Sequence, residues 1–307
     1  MDGKFTENTA FMRFDSGAWT KTRILLRNEL KQIPQHNGTV FGLSVSQTVR
    51  ISPDDSGGAA LFCVKQAITR LNISAQGSLL PMADEGAVLE ALMMLVDSQR
   101  DKLYDGGRFF AVISLFSADM SLSPYPVDSA CLTIDLWYDK SEPSIAALNV
   151  CIDRTWADSE HIRGRLAQKN GYDNAVLLDG VYKKYILGLA GSNIFLRTDQ
   201  YVITPAEQDA HNGITAGCVI ELMRGWGIEV KECRISMDEL LRLYSEGRLL
   251  EAFATDTLNI VMSIVKISNP GSDIELKKGK LAKKLFDAVR HIERGTYPAP
   301  TGWIQRI

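Results

Sequence analysis

The sequence predicts a two-domain protein of the α+β or α/β class. Strand-like apolar runs and helical 3.6-residue patterns are mixed in two clusters along the chain. A polar stretch around a proline, Asp139-Lys-Ser-Glu-Pro-Ser144, separates the clusters and sets the expected domains at residues 1–140 and 141–307. The 307 residues are 45% hydrophobic and 23% charged, an ordinary globular composition with enough apolar surface for a sizeable core.

In the first cluster Thr39–Ser52, Arg108–Ser117 and Cys131–Tyr138 read as strands. Between them Leu61–Ala75 carries Leu61, Val64, Ile68 and Leu71 on one helical face. Asp84–Lys102 opens with acids and closes with bases, as the helix dipole favours. The two prolines of Ser123–Asp128 mark a turn.

In the second cluster Leu148–Asp153, Asn174–Asp179, Ser192–Thr198 and Gln200–Pro205 read as strands. His211–Gly227 is a loop and a helix, capped by Thr215 and stopped by Gly227. Ile228–Ser236 is a strand, and Ser236-Met-Asp-Glu239 is a capping box opening the next helix. Ala254–Ser268 reads as one long buried strand, and Glu275–Gly295 as a basic amphipathic helix.

Several functional classes lose support. A net charge of −3 gives no reason to expect a nucleic-acid partner. The longest apolar runs, such as Ala91–Val96, are too short to span a bilayer, and the first residues carry no secretory pattern. Cys63, Cys131, Cys151, Cys218 and Cys233 are odd in number and form no C-x-x-C pair. A reduced cytoplasmic protein is expected. Cys63 and Cys151 read as small buried hydrophobes. His36, His161, His211 and His291 show no metal-ligand spacing. The basic run Lys277–Lys284 reads as a solvated helix face. No P-loop, G-x-G-x-x-G or G-x-S-x-G is present.

A family resemblance rests on motifs in the right order at matching separations. NGYDNAVLLDGVYKKYI, GLAGSNIF, VITP, NGIT…IELMRGWGIEVKECRISMDEL, LLEAFATDT and TGW resemble the large domain of branched-chain amino acid aminotransferases. These are the fold-type-IV pyridoxal-phosphate enzymes. LFCVKQAITRLN and RFFAVIS resemble fragments of their small domain. The resemblance implies an α+β architecture with a small N-terminal α/β domain and a larger β-rich C-terminal domain. It also implies a cofactor cleft between the domains, and a homodimer.

The same resemblance places the family's residues on this chain one at a time. The aldimine lysine of K-x-G-G-N-Y falls on Ile152 and its tyrosine on Ala157, and no lysine occurs from Ser141 to Gln168. An isoleucine has no amine for a Schiff base. Lys183 and Lys184 lie in a turn that the family carries away from the aldimine. The arginines of L-F-R-P and Y-I-R-P fall on Cys63 and Ser114, and the glutamate of E-V-G-T-M-N falls on Gly188. The phosphate cup survives as Gly213-Ile214-Thr215 at a helix N-terminus, with Thr257 as the second contact.

These losses predict a mostly apolar cleft lined by Cys63, Ser114, Ile152, Trp156, Gly188, Asn193, Thr215 and Thr257, with His161 nearby. The expected function is cofactor-independent: a cyclase or isomerase, of the Diels–Alder type among others. Its substrate would be a small apolar terpenoid or polyketide intermediate, held in a reactive conformation. Ser114, Asn193, Thr215 and Thr257 would polarise a carbonyl. Two alternatives stand beside it. One is a pyridoxal-phosphate-dependent amino acid aminotransferase in a different register. The other is a non-catalytic protein that binds a small molecule.

Overall fold

The structure, a computed structural model, describes residues 4–15, 17–32, 42–55, 57–104, 108–119, 129–141, 144–153, 159–206 and 213–307. Its elements in chain order begin with β1 (Lys4–Asp15), β2 (Ala18–Trp19), β3 (Arg23–Leu26) and a 3-10 helix (Arg27–Gln32). Then come β4 (Ser44–Pro53), β5 (Ala59–Phe62), α1 (Val64–Gly77), α2 (Glu85–Asp97), α3 (Arg100–Tyr104), β6 (Arg108–Ser117) and β7 (Ser129–Asp139). Next are β8 (Ala147–Ile152), α4 (Glu160–Lys169), β9 (Asn174–Leu178), β10 (Ile186–Leu189), β11 (Asn193–Thr198), β12 (Val202–Thr204) and α5 (Ile214–Gly225). The chain closes with β13 (Val230–Glu232), α6 (Met237–Ser245), β14 (Leu249–Asp256), β15 (Ile260–Ser268), β16 (Ile274–Glu275), α7 (Lys280–Arg294) and β17 (Ile304–Arg306). Two compact units result: Met1–Glu142 with Arg290–Ile307, and Pro143–Val289.

The first unit is built on an antiparallel sheet of order β17-β5-β4-β6-β7-β1-β2, with β3 paired to β1. β1 carries too many polar residues to show as a strand in sequence. Its buried Thr9 solves the problem locally by donating its hydroxyl to the Ile134 carbonyl at 3.0 Å. Helix α1 buries Val64, Ala67, Ile68, Leu71 and Ala75, as its periodicity predicts, but Leu61 belongs to β5. Asp84 caps α2 by accepting from the Ala87 N–H at 2.7 Å. The helix stops at Asp97 instead of running on to the bases. There the Ser98 hydroxyl donates to the Leu95 carbonyl at 2.7 Å, a local bond that competes with the helical ladder. At the far end of the chain β17 pairs with β5, and Trp303 stands edge-on to Phe62 at 5.7 Å. The Trp303 carbonyl accepts from the Cys63 N–H at 2.6 Å.

The second unit holds a sheet of order β10-β9-β8-β15-β14-β11-β12-β13, with β16 on β15. β8 runs parallel to both β9 and β15, so β8 and β9 end on the same side of the sheet. One face packs into a core of Val150, Ile152, Val176, Ile194, Ala254, Met262 and Ile264 under Leu240 and Leu243 of α6. Ser236 caps α6 as predicted, its hydroxyl accepting from the Glu239 N–H at 3.2 Å. Gly227, at φ 75, ends α5 as predicted. The cap at the start of α5 is Gly213, however, and Thr215 sits in the first turn.

The single strand expected over Ala254–Ser268 is instead the hairpin of β14 and β15. Asp256 makes the turn: its carboxylate accepts from the Asn259 N–H at 2.6 Å and from Asn259 Nδ2 at 2.9 Å.

A second carboxylate organises the turn after β9. Asp179 accepts from the N–H groups of Tyr182, Lys184 and Tyr185, each at 2.7 Å. Burial works against its charge, but the donated N–H groups of Tyr185, Tyr182 and Lys184 outweigh it and hold the carboxyl below its ordinary value. A carboxyl depressed in the folded state stabilises above its unfolded pKa, roughly 4, and loses that contribution as pH falls through the folded value. Urea midpoints measured from pH 7 down to pH 2 should therefore fall less steeply in Asp179→Asn than in the parent. Identical slopes would remove Asp179 from the acid response.

Candidate active site

Three strands and one helix of the second unit build a small polar cup. β11 and β14 pair so that Asn193 stands opposite Thr255, and Thr255 stands opposite Val261 of β15. Side chains alternate along a strand, so Ile194 and Ala254 enter the α6-side core while Asn193 and Thr255 face the other way. Asn193 lies against the residue that opens α5: a methyl group on Gly213 would sit 2.3 Å from Asn193 Oδ1. Only glycine permits that approach. The first turn of α5, which includes the buried Thr215, carries backbone N–H groups and the positive end of the helix dipole.

Thr255 completes the cup. It is 1% exposed, and its hydroxyl has no hydrogen-bond partner among the described residues. Leaving such a group unsatisfied costs about 1–3 kcal/mol. Thr257 follows in the hairpin turn, where Asp256 also accepts from the Ser192 hydroxyl at 3.5 Å. Next in the turn, Ile260 is held at φ 67, a conformation a β-branched side chain resists.

The carboxyl ends of β8 and β9 form a different environment. Ile152 is 8% exposed and belongs to the apolar core on the α6 face. It does not point into the cup. A cavity of about 430 Å³ opens beside it, lined by Asp153, Leu178, Lys183, Met237 and Leu241 among others. Lys183 is the one amine among the lining residues. Asp153 is buried and pairs with Arg163 at 3.4 Å. A second cavity of about 640 Å³ is lined by Cys151, Asp153, Arg163, Lys266 and Asp273 among others. Burial pushes the Cys151 thiol up, and the Asp153 charge adds to this, so the thiol is protonated at neutral pH.

Gly188 leaves no space for a side chain, since a Cβ there would lie 2.9 Å from the Ser192 carbonyl oxygen. Cys63 and Ser114 belong to the first unit. Cys63 is buried at the start of α1 with φ 51, and Ser114 lies in β6 between Ser46 and Thr133. Trp156 lies outside the described residues, and His161 is exposed on α4. Of the expected set, the structure brings Asn193 together with the α5 N-terminus that holds Thr215, next to the turn that carries Thr257. Thr255 was missed. Its signal was the i, i+2 spacing with Thr257 at the end of a strand. No helix among the described residues is long and apolar enough to cross a membrane.

Comparison with known proteins identifies the scaffold. The family model described as amino-transferase class IV matches residues 47–267. A branched-chain-amino-acid transaminase of Bacillus subtilis is 28% identical over 99% of this chain and 92% of its own length. A probable branched-chain-amino-acid aminotransferase of Staphylococcus aureus is also 28% identical, over 97% of this chain and 90% of its own. Among solved structures, the branched-chain amino acid aminotransferase of Escherichia coli superposes with a TM-score of 0.78 at 19% identity. That match covers 97% of this chain and 98% of the other. The branched-chain amino acid aminotransferase of Thermobaculum terrenum, solved in its PLP-form, gives 0.76 at 18% identity, covering 98% and 99%. The fold is the fold-type-IV aminotransferase fold, an α+β arrangement of two sheets with helices.

These findings overturn the expected cyclase or isomerase. The relatives matched almost end to end are named for transamination, so a Diels–Alder or other cofactor-independent reaction on a terpenoid or polyketide has no support. That expectation drew a whole chemistry from a few altered positions, whereas the pattern over the full length stays with the transaminases. By the match over residues 47–267, most of its length, this chain belongs to the class IV amino-transferase family.

Proposed function

We propose that this chain is an enzyme of amino-group transfer, working on branched-chain amino acids and the corresponding 2-oxo acids. The observation that carries the reading is the match to the Bacillus subtilis transaminase over 99% of this chain. Vitamin B6 phosphate enters the reading through the Thermobaculum terrenum enzyme, solved in its PLP-form. A homodimer, as the family resemblance implies, belongs to the same reading.

The residues present fit one end of that cofactor and not the other. The α5 N-terminus and the Thr255 hydroxyl offer neutral donors suited to a phosphate. By the sequence resemblance the family's lysine falls on Ile152 at the end of β8 and its glutamate on Gly188, where a Cβ would already lie 2.9 Å from the Ser192 carbonyl oxygen. The group therefore does not fit as its relatives' sequence pattern would hold it, and no step of the reaction is routed through it.

The test is direct. Purified protein, incubated with pyridoxal 5'-phosphate, L-leucine and 2-oxoglutarate, should form glutamate above the level given by the cofactor and buffer alone. L-valine and L-isoleucine should serve as well. Glutamate formation no faster than the protein-free control, for all three amino acids, would overturn the reading. Light scattering at twice the 34.0 kDa chain mass is expected for the homodimer.

A further inference from the structure

We infer that this chain retains a phosphate-bearing vitamin B6 ligand by noncovalent contacts alone, with no bond between a side-chain amine and the ligand's aldehyde. The inference rests on the reading above only for the choice of ligand.

Three observations support it. First, no lysine occurs from Ser141 to Gln168, and β8 ends on Ile152, whose side chain is packed into the core on the α6 face. Second, the cup is built for a phosphate without help from a covalent bond. It offers the first-turn N–H groups of α5, a glycine at the helix start that admits Asn193 Oδ1 beside it, and a fully buried hydroxyl on Thr255 with no partner among the described residues. The unfilled hydroxyl is the feature that points to a ligand, since burial without a partner is costly unless something supplies one. Third, Lys266 at the other cavity that Ile152 lines is ion-paired with Asp273 at 2.8 Å, and the amine at the cavity on the α6 face is Lys183. It belongs to the α6 side of the sheet, while Asn193 and Thr255 alternate onto the other. Its backbone is held at φ 50 in the turn that Asp179 ties down, which keeps it from crossing.

Equilibrium dialysis with pyridoxal 5'-phosphate and with pyridoxamine 5'-phosphate reads the binding. The intact mass after borohydride reads the bond. Both ligands should bind with similar affinity, because the aldehyde contributes no covalent link. The mass should be unchanged by borohydride. Thr255→Val, nearly equal in shape, should weaken both ligands about tenfold, as loss of a hydrogen bond to a charged group does. Gly213→Ala, which pushes Asn193 off the helix start, should weaken them at least as much.

A stoichiometric borohydride-stable adduct mapped to one lysine, Lys183 included, would overturn the inference. So would failure of either ligand to bind at millimolar concentration, or affinities untouched by both substitutions. Amino transfer is scored separately. Glutamate formation together with an adduct would uphold the proposed function and sink this inference. Binding without an adduct and without transfer would do the reverse.

Discussion

Glu293→Ala should lower the stability of the first unit by about 3–5 kcal/mol, the cost of breaking a buried ion pair from one side. Glu293 is 1% exposed and Arg50 is 3% exposed, and they meet at 2.6 Å between Nε and Oε1. The second carboxylate oxygen takes Arg290 Nη1 at 3.1 Å. One acid thus serves two guanidinium groups. Burial pulls Arg290 below its ordinary value, and the charges of Arg294 and Arg108 add to this while Glu293 opposes it. Without Glu293, two like charges face each other away from water. Arg50 also lies over the Phe62 ring at 4.3 Å, so its position is set by packing and it cannot swing out cheaply. Urea unfolding followed by circular dichroism reads the loss. Glu293→Gln, which keeps the shape, should fall between parent and alanine. An alanine variant within 1 kcal/mol of the parent, roughly the range of exposed pairs, would show that the network contributes nothing.

Gly279→Ala should cost about 3 kcal/mol, because it displaces a buried carboxylate from a helix start. A Cβ on Gly279 would lie 1.9 Å from Glu251 Cδ. Glu251, 2% exposed in β14, accepts from Ala282 N–H at 2.6 Å and from Leu281 N–H at 3.2 Å, and it takes Arg197 at 3.3 Å. It is the cap of α7, supplied by another element. The first turn of α7 has no acid of its own and begins with Lys280, a charge the dipole disfavours there. Glu251→Ala should cost a similar amount. The two should not add: once the carboxylate is gone, the three nearest atoms that the alanine at 279 would strike go with it, and the double variant should match Glu251→Ala within about 0.5 kcal/mol. Full additivity would separate the two residues.

Where local chemistry decides, the sequence was readable. Ser236 and Asp84 cap their helices because a hydroxyl or carboxylate three residues ahead of an N–H needs no distant partner. Gly227 stops α5 because only glycine takes φ 75 without strain. The motifs from Asn170 onward led to the right family for the same reason: they are contiguous and ordered. The readings failed where a distant atom or a single side chain overrode the pattern. β1 is hidden because Thr9 is satisfied by Ile134 across the sheet. The hairpin at Asp256 looks like unbroken strand because its turn, made by one carboxylate, contains neither glycine nor proline. The functional error was of another kind. The departures that the resemblance places at Cys63, Ser114, Ile152 and Gly188 are four positions, and the similarity carried by the whole chain outweighs them.

The sequence by itself determined the family, the α+β class, the cap at Ser236 and the stop at Gly227, since these follow from ordered motifs and local chemistry within short windows. Tertiary structure alone decided that Arg290–Ile307 returns to the first unit, that Glu251 caps α7, and that Thr255 joins Asn193 and Gly213 in one cup. Each of these depends on which strand pairs with which, and pairing across many residues leaves no mark in a local window.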